Sequence, residues 1–172
     1  NTEHDAAMDV NADDDLTFTG RLDVTSIKQK IDSMANNLAD QGGNADGIQT
    51  KDIESTFTAK LSFPNELMVP DTPTARLTDN KLFKIKSVTK TGNTVAVTME
   101  LINKNYTMFK DLRADVTAVP DILNVDVPGI KVADTVQDDA LYTVKGEVSG
   151  TFTGTATTSS GNHIRKYNFS WI

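Results

Sequence analysis

Apolar and polar residues alternate along the last thirty residues of the chain, and this alternation predicts a long antiparallel hairpin. From position 144 to 156 the even-numbered residues are all apolar or glycine: Val144, Gly146, Val148, Gly150, Phe152, Gly154 and Ala156. A polar turn follows at 159–162, and Tyr167, Phe169 and Trp171 then alternate with polar residues. We predict that this aromatic row is buried against another layer. The glycines predict places where a ring or a neighbouring strand lies close.

The same two-residue period predicts strands at 16–24 and 53–63 and a second hairpin at 83–101. Its turn is Thr91-Gly92-Asn93, where glycine and asparagine are expected to supply positive φ angles. Near position 128 the apolar residues lie on both sides of Pro128-Gly129, which predicts short strands around a turn.

A helical period replaces the alternation after the first strand. Thr25 or Ser26 can cap a helix whose apolar residues are spaced by four, three and four, namely Ile27, Ile31, Met34 and Leu38. Gln41-Gly42-Gly43 is expected to end it. Within 103–132 a second short helix is favoured over a strand by the spacing of Phe109, Leu112, Val116 and Val119.

These elements predict a mainly β fold: an antiparallel β-sandwich or a strongly curved sheet, with one amphipathic helix after the first strand. We expect residues 16–172 to form a single domain and residues 1–15 to be a flexible acidic segment. The chain begins at Asn1 without an initiator methionine, so we expect it to be part of a longer protein.

The composition narrows the functional classes. Threonine accounts for 23 of 172 residues, as expected for sheets with one solvated face. The absence of cysteine excludes disulfides, thiolate nucleophiles and zinc sites with cysteine ligands. A net charge of −7 opposes nucleic acid as a partner. No apolar run approaches the roughly 20 residues of a transmembrane helix.

One candidate metal site is a calcium loop at Asp9, Asn11 and Asp13. Alternating oxygen side chains open a calcium-binding EF-hand loop, but glycine is expected at its sixth position and glutamate at its twelfth. Asp14 and Gly20 occupy those positions here. A solvated linker is therefore the favoured interpretation, and calcium is the one cofactor that the sequence raises.

A second candidate site is a covalent cross-link between strands. A lysine amine can condense with an asparagine amide beside a carboxylic acid when all three are buried together. Lys60 or Lys145 could supply the amine, Asn168 the amide, and Glu147 or Asp23 the acid. Lys60 and Asn168 lie at the polar positions of their strands, which opposes the desolvation that a neutral amine requires.

Catalytic residues are not indicated by any motif. The chain has no Gly-x-Ser-x-Gly sequence, and neither His4 nor His163 has a second histidine or paired carboxylates at metal-ligand spacing. We therefore expect a non-enzymatic protein. A hydrolase that uses two carboxylates is the least favoured alternative.

The threonine-rich strands, the missing cysteines and the pI near 4.7 accompany a distinctive ending, in which Val148–Gly161 (VSGTFTGTATTSSG) is followed by Tyr167–Trp171 (YNFSW). In these features the chain resembles adhesin-like β modules of secreted, cell-wall-anchored surface proteins of Gram-positive bacteria. The resemblance implies a non-catalytic structural, adhesive or ligand-binding module on the bacterial cell surface. Its partner would be a protein or carbohydrate of the host or the cell envelope.

An alternative function follows from the predicted elements. A curved β-sheet closed by the amphipathic helix can enclose a cavity, and the protein would then be a carrier of a lipid or another apolar small molecule.

Overall fold

Two antiparallel sheets and two helices form the structure, a computed structural model that describes residues 2–3, 9–40, 47–160 and 163–171. The elements of these residues are, in chain order, β1 (Thr2–Glu3), β2 (Asp15–Asp23), α1 (Thr25–Asp40), β3 (Gln49–Ser62), β4 (Leu67–Met68), β5 (Arg76–Leu77), β6 (Phe83–Thr91), β7 (Thr94–Leu101), α2 (Phe109–Ala118), β8 (Ile122–Val132), β9 (Lys145–Ser160) and β10 (His163–Trp171). The predicted mainly β class with antiparallel sheets is confirmed.

The larger sheet, called the long sheet below, has the strand order β10-β9-β3-β7-β6. Both predicted hairpins are present in it, as β6 with β7 and β9 with β10. Gly92 has the expected positive φ of 61°, whereas Asn93 does not share it. At one end of the strand order, β6 exposes Lys84 and Lys86 to solvent.

The other sheet, called the short sheet below, has the order β1-β2-β8-β4, with β5 also paired to β8. Thr2 and Glu3, which lie in the segment predicted to be flexible, pair with β2. The prediction of short strands around Pro128-Gly129 is wrong, because β8 is one continuous strand. It absorbs an extra residue at this point as a β-bulge, and Gly129 adopts a φ of 76° that favours glycine.

The helix α1 begins at Thr25 and ends at Asp40. Its predicted apolar stripe is confirmed, since Ile31 and Leu38 are buried and Ile27 and Met34 are half-buried. The predicted cap is wrong: Thr25 is already helical, and the carboxylate of Asp23 accepts its N–H. The predicted glycine stop at 42–43 lies outside the described residues.

The second helix, α2, confirms the helical interpretation of 109–118. Phe109, Leu112 and Val116 form its buried face, at the spacing of one side of a helix. The two helices pack near each other, and the Arg113 guanidinium lies 3.4 Å from the Asp32 carboxylate of α1.

The two sheets face each other across one apolar interior. Phe18 of β2 meets Phe63 edge to face, with ring centroids 5.3 Å apart. A Cβ atom at Gly20 of the short sheet would lie 3.8 Å from Leu61 of the long sheet. The buried residues of both sheets and both helices form one continuous cluster, but the domain boundary at 15/16 stays a prediction.

The Asn93 side chain anchors the connection between β3 and β6. Asn93 Nδ2 lies 2.8–3.0 Å from three backbone carbonyl oxygens, those of Phe63, Pro64 and Leu67. Its Oδ1 accepts the Val69 N–H at 3.2 Å. This amide therefore joins the β6–β7 turn to a proline-containing segment that has few ladder hydrogen bonds of its own.

Candidate functional site

A cavity of about 410 Å³ lies between the start of α1 and the interior faces of the two sheets. Apolar side chains form most of its wall, including Leu22 and Leu123 from the short sheet and Phe57, Phe83, Met99 and Phe152 from the long sheet. The volume falls in the range of roughly 300–1,000 Å³ that is typical of small-molecule sites. Except for Leu123, these residues lie in the strands that the sequence predicts, but the alternation of apolar and polar residues does not indicate that a space remains between them.

A cross-strand pair of glycine and phenylalanine shapes one side of the cavity. Gly150 of β9 lies opposite Phe57 of β3. A Cβ atom at Gly150 would come within 2.4 Å of Phe57 Cδ1 and of the Thr56 carbonyl oxygen. The missing side chain therefore leaves room for the Phe57 ring, which also meets Phe83 edge to face at 5.6 Å. This is the close approach that the glycine row predicted.

One face of α1 covers the cavity. Asp23, Ser26, Ile27 and Lys30 line it. Asp23 is the last residue of β2, whereas Ser26, Ile27 and Lys30 lie in α1, where a spacing of one and three places them on the same side of the helix. Ile27 is half-buried, whereas Ser26 and Lys30 are exposed, so the polar residues mark the mouth and Ile27 lies towards the apolar wall.

Asp23 is a fixed negative charge at this mouth. Its Oδ1 accepts two hydrogen bonds from Thr25, one from the hydroxyl at 2.6 Å and one from the backbone N–H at 2.9 Å. These bonds, led by that from the hydroxyl, lower the pKa of the Asp23 carboxyl below its ordinary value. The carboxylate is therefore ionised at neutral pH and limited in its rotamers.

A separate buried polar contact lies beside α2. The Tyr106 hydroxyl donates to the Asp115 carboxylate at 2.7 Å, and the Tyr106 carbonyl oxygen accepts the Thr50 hydroxyl at 2.8 Å. Burial, and secondarily the bond to Asp115, raise the pKa of Tyr106. Its place between the end of the long sheet and α2 indicates a structural bond that holds the helix in position.

The candidate calcium residues lie on an exposed turn before β2. Asp9, Asn11 and Asp13 are all exposed. The Asn11 N–H donates to the Asp14 carboxylate at 2.7 Å, and Asp13 has a φ of 64°. Within the part of the chain that the structure describes, no group of three or more metal-ligating acidic or histidine side chains converges. A calcium site stays a prediction.

The strand register separates the candidate cross-link residues. Lys60 and Glu147 lie opposite each other on β3 and β9. Asn168 pairs instead with Thr155, eight residues further along β9, or about 26 Å at roughly 3.3 Å per residue. All three are exposed, and Asn168 Oδ1 accepts the Thr155 hydroxyl at 2.8 Å. The structure therefore does not bring Lys60 and Asn168 together.

The alternative amine, Lys145, is placed no closer to Asn168, because it pairs with Ser62 at the far end of the β3–β9 ladder. The alternative acid, Asp23, lies at the cavity mouth. The predicted burial of Tyr167, Phe169 and Trp171 concerns side chains outside the described part of the structure. Their backbone lies in β10, paired with β9 in the predicted hairpin.

Comparison with known proteins finds no matching family model, no similar curated protein and no similar solved structure. Neither helix of the described residues is both long enough and apolar enough to span a bilayer.

Proposed function

We propose that the chain is a non-catalytic binding module that takes an apolar small molecule, or the apolar chain of a larger one, into the cavity beneath α1. The observation that carries this proposal is a space of about 410 Å³ with an apolar wall and a polar mouth. Ligand sites in proteins combine an apolar interior with a few placed polar groups in the same way.

The volume limits the size of the ligand. At roughly 30 Å³ per non-hydrogen atom, the space holds about a dozen atoms. Burying ten methylene groups contributes roughly 8 kcal/mol. Lost translational and rotational freedom costs at least about 4 kcal/mol. The net gain is then at most about 4 kcal/mol, so the expected dissociation constant is about 1 mM or higher.

A pair of matched variants tests the cavity. Val148 lines it and is half-buried, so Val148→Phe places a ring in the binding space. Val88 on β6 is also half-buried and packs at the edge of the core, but it does not line the cavity. Val88→Phe therefore applies the same substitution elsewhere in the long sheet.

The assay is titration with 1-naphthol, a fluorescent apolar molecule of about a dozen non-hydrogen atoms, with folding checked by circular dichroism. The wild-type protein and Val88→Phe are expected to bind it with a dissociation constant of about 1 mM. Val148→Phe is expected to lose about tenfold or more in affinity, equivalent to about 1.4 kcal/mol. Wild-type protein that does not bind, or Val148→Phe that binds equally well, would contradict the proposal.

A second candidate function is adhesion through the outer face of the long sheet. Thr56 and Thr151 are paired and exposed there, and the hydroxyls of Thr58 and Thr98 lie 3.2 Å apart beside them. This hydroxyl-rich surface supports a carbohydrate or protein partner of the host or cell envelope. Thr56→Lys and Thr151→Lys should abolish retention on immobilised envelope glycans, whereas Val148→Phe should not.

The proposed location is the bacterial cell surface, outside the membrane. The resemblance of the closing hairpin to adhesin-like modules supports it. Surface labelling of intact cells with an antibody against the chain tests it, and signal only after lysis would contradict it.

A further inference from the structure

Phe57 is the most exposed of the three phenylalanines that line the cavity. It is half-buried, whereas Phe83 is 5% exposed and Phe152 is fully buried. The rings of Phe57 and Phe83 meet edge to face, with an angle of 85° between their planes. The Phe57 ring therefore has one aromatic neighbour and keeps a part of its surface open to the cavity.

The residue opposite Phe57 leaves this ring uncovered. Gly150 pairs with Phe57 across the β3–β9 ladder, and it stands between Val148 and Phe152 on the same face of β9. A side chain at Gly150 would collide with the ring, because its Cβ atom would lie 2.4 Å from Phe57 Cδ1. The position from which a cross-strand neighbour ordinarily covers a ring therefore supplies no side chain here.

An aromatic ligand gains more from such a surface than a saturated ligand of the same skeleton. The face of an aromatic ring is electron-rich and its edge is electron-poor, so two rings attract each other edge to face or offset, in addition to the hydrophobic gain. The Phe57–Phe83 pair, with ring centroids 5.6 Å apart, already packs in this way. A ligand ring in the cavity would extend the same packing to a third ring.

The polar end of a ligand would lie between α1 and β9. Ser26 and Ser149 line the cavity from these two elements, and both residues are exposed. A serine hydroxyl both donates and accepts hydrogen bonds, so it matches a hydroxyl group on the ligand. The two serines thus suit a ligand that carries a hydroxyl at one end of an apolar ring system.

We infer that the cavity takes a small aromatic alcohol, with two fused rings and one hydroxyl group, in preference to its saturated analogue, and that Phe57 determines this preference. The inference rests on the proposed function, because it assumes that a ligand occupies the cavity. The size of the ring system follows from the space of about 410 Å³ at roughly 30 Å³ per atom.

A matched pair of ligands, 1-naphthol and decahydro-1-naphthol, tests the inference. They share one carbon skeleton and one hydroxyl group and differ in aromaticity. NMR titration gives both dissociation constants for the wild-type protein and for Phe57→Leu. The ratio of the two constants is compared between the proteins, so that the different hydrophobicity of the ligands cancels. Phe57→Leu is expected to reduce the preference for 1-naphthol by about two- to tenfold, which is the effect of one aromatic contact.

Phe63→Leu is the matched control, because Phe63 forms an edge-to-face pair with Phe18 and does not line the cavity. It should leave the ratio unchanged, and circular dichroism checks that both variants fold. A measurement on the wild-type protein needs no variant: nuclear Overhauser effects should connect 1-naphthol to the Phe57 ring.

The outcomes separate the inference from the proposed function. An unchanged ratio in Phe57→Leu, an equal change in Phe63→Leu, or bound 1-naphthol without Overhauser effects to Phe57 would overturn the inference while the proposed function stands. If neither ligand binds to the wild-type protein, the proposed function itself is overturned.

Discussion

Replacement of Asn93 by alanine should loosen the connection between β3 and β6. The amide reaches three carbonyl oxygens at 2.8–3.0 Å through Nδ2 and accepts the Val69 N–H at 3.2 Å. Alanine removes all of these contacts, and the backbone groups of the segment lose their partner.

The magnitude follows from the number of bonds that the amide can make. Nδ2 has two hydrogens for three carbonyl oxygens, so about two donated bonds and one accepted bond are lost. At about 1 kcal/mol each, the free energy of unfolding should fall by roughly 3 kcal/mol. For a chain of 172 residues this corresponds to a decrease in Tm of about 6–12 °C.

Thermal unfolding followed by circular dichroism measures this loss. The control is Asn105→Ala, because Asn105 is exposed and donates its backbone N–H, which alanine keeps, to Asn103 Oδ1. Asn93→Asp is a second test. At pH 7 its carboxylate faces carbonyl oxygens and should destabilise the fold, and protonation of the carboxylate at low pH should recover part of the stability lost relative to wild type. If Asn93→Ala unfolds within about 2 °C of Asn105→Ala, the anchoring role of Asn93 is refuted.

Three further substitutions test other contacts. Gly150→Ala would place a methyl group 2.4 Å from Phe57 Cδ1, so it should lower the free energy of unfolding by about 1–3 kcal/mol or more in urea titrations; an unchanged midpoint would contradict the tight pairing. Tyr106 has a raised pKa, so its contribution to stability is complete below the ordinary value of 10.0 and is lost as the pH rises above it. Tyr106→Phe should remove that loss of stability at alkaline pH. It should also lower the free energy of unfolding by about 1–3 kcal/mol near neutral pH, because Asp115 loses its hydrogen-bond donor. Urea unfolding near neutral pH and at alkaline pH measures both effects. The lowered pKa of Asp23 stabilises the fold above its ordinary value of 3.8 and less as the pH falls below it, so the acid unfolding of Asp23→Asn should be less steep than that of wild type.

The strand pattern could be predicted because each face of a strand has its own solvent environment. The even-numbered residues of β9 illustrate this, since Phe152 and Ala156 are fully buried. The bulges could not be predicted in the same way. The bulges lie near Asp52, which has a φ of 56°, and near Gly129. Each inserts an extra residue relative to the neighbouring strand, and this register between distant strands is not encoded in the local alternation.

The candidate site was less predictable than the fold. The sequence indicated an amphipathic helix over a sheet, and hence the type of enclosure, but not whether side chains would fill it. That depends on how far α1 stands from Phe57 and Phe152, which is set by the packing of both sheets. The cap at Asp23 was missed because Thr25 and Ser26 are equally good capping residues by type.

The lysines of β6 affect how the molecule behaves at high concentration. A strand at the end of a sheet offers unpaired backbone groups to the same strand of another molecule, and such contacts can propagate into fibres. Lys84 and Lys86 are exposed on β6, so two such strands brought together would juxtapose like charges that water otherwise solvates. Colloidal stability is therefore supported by a few side chains that contribute little to the interior, and acetylation of these lysines would weaken that protection.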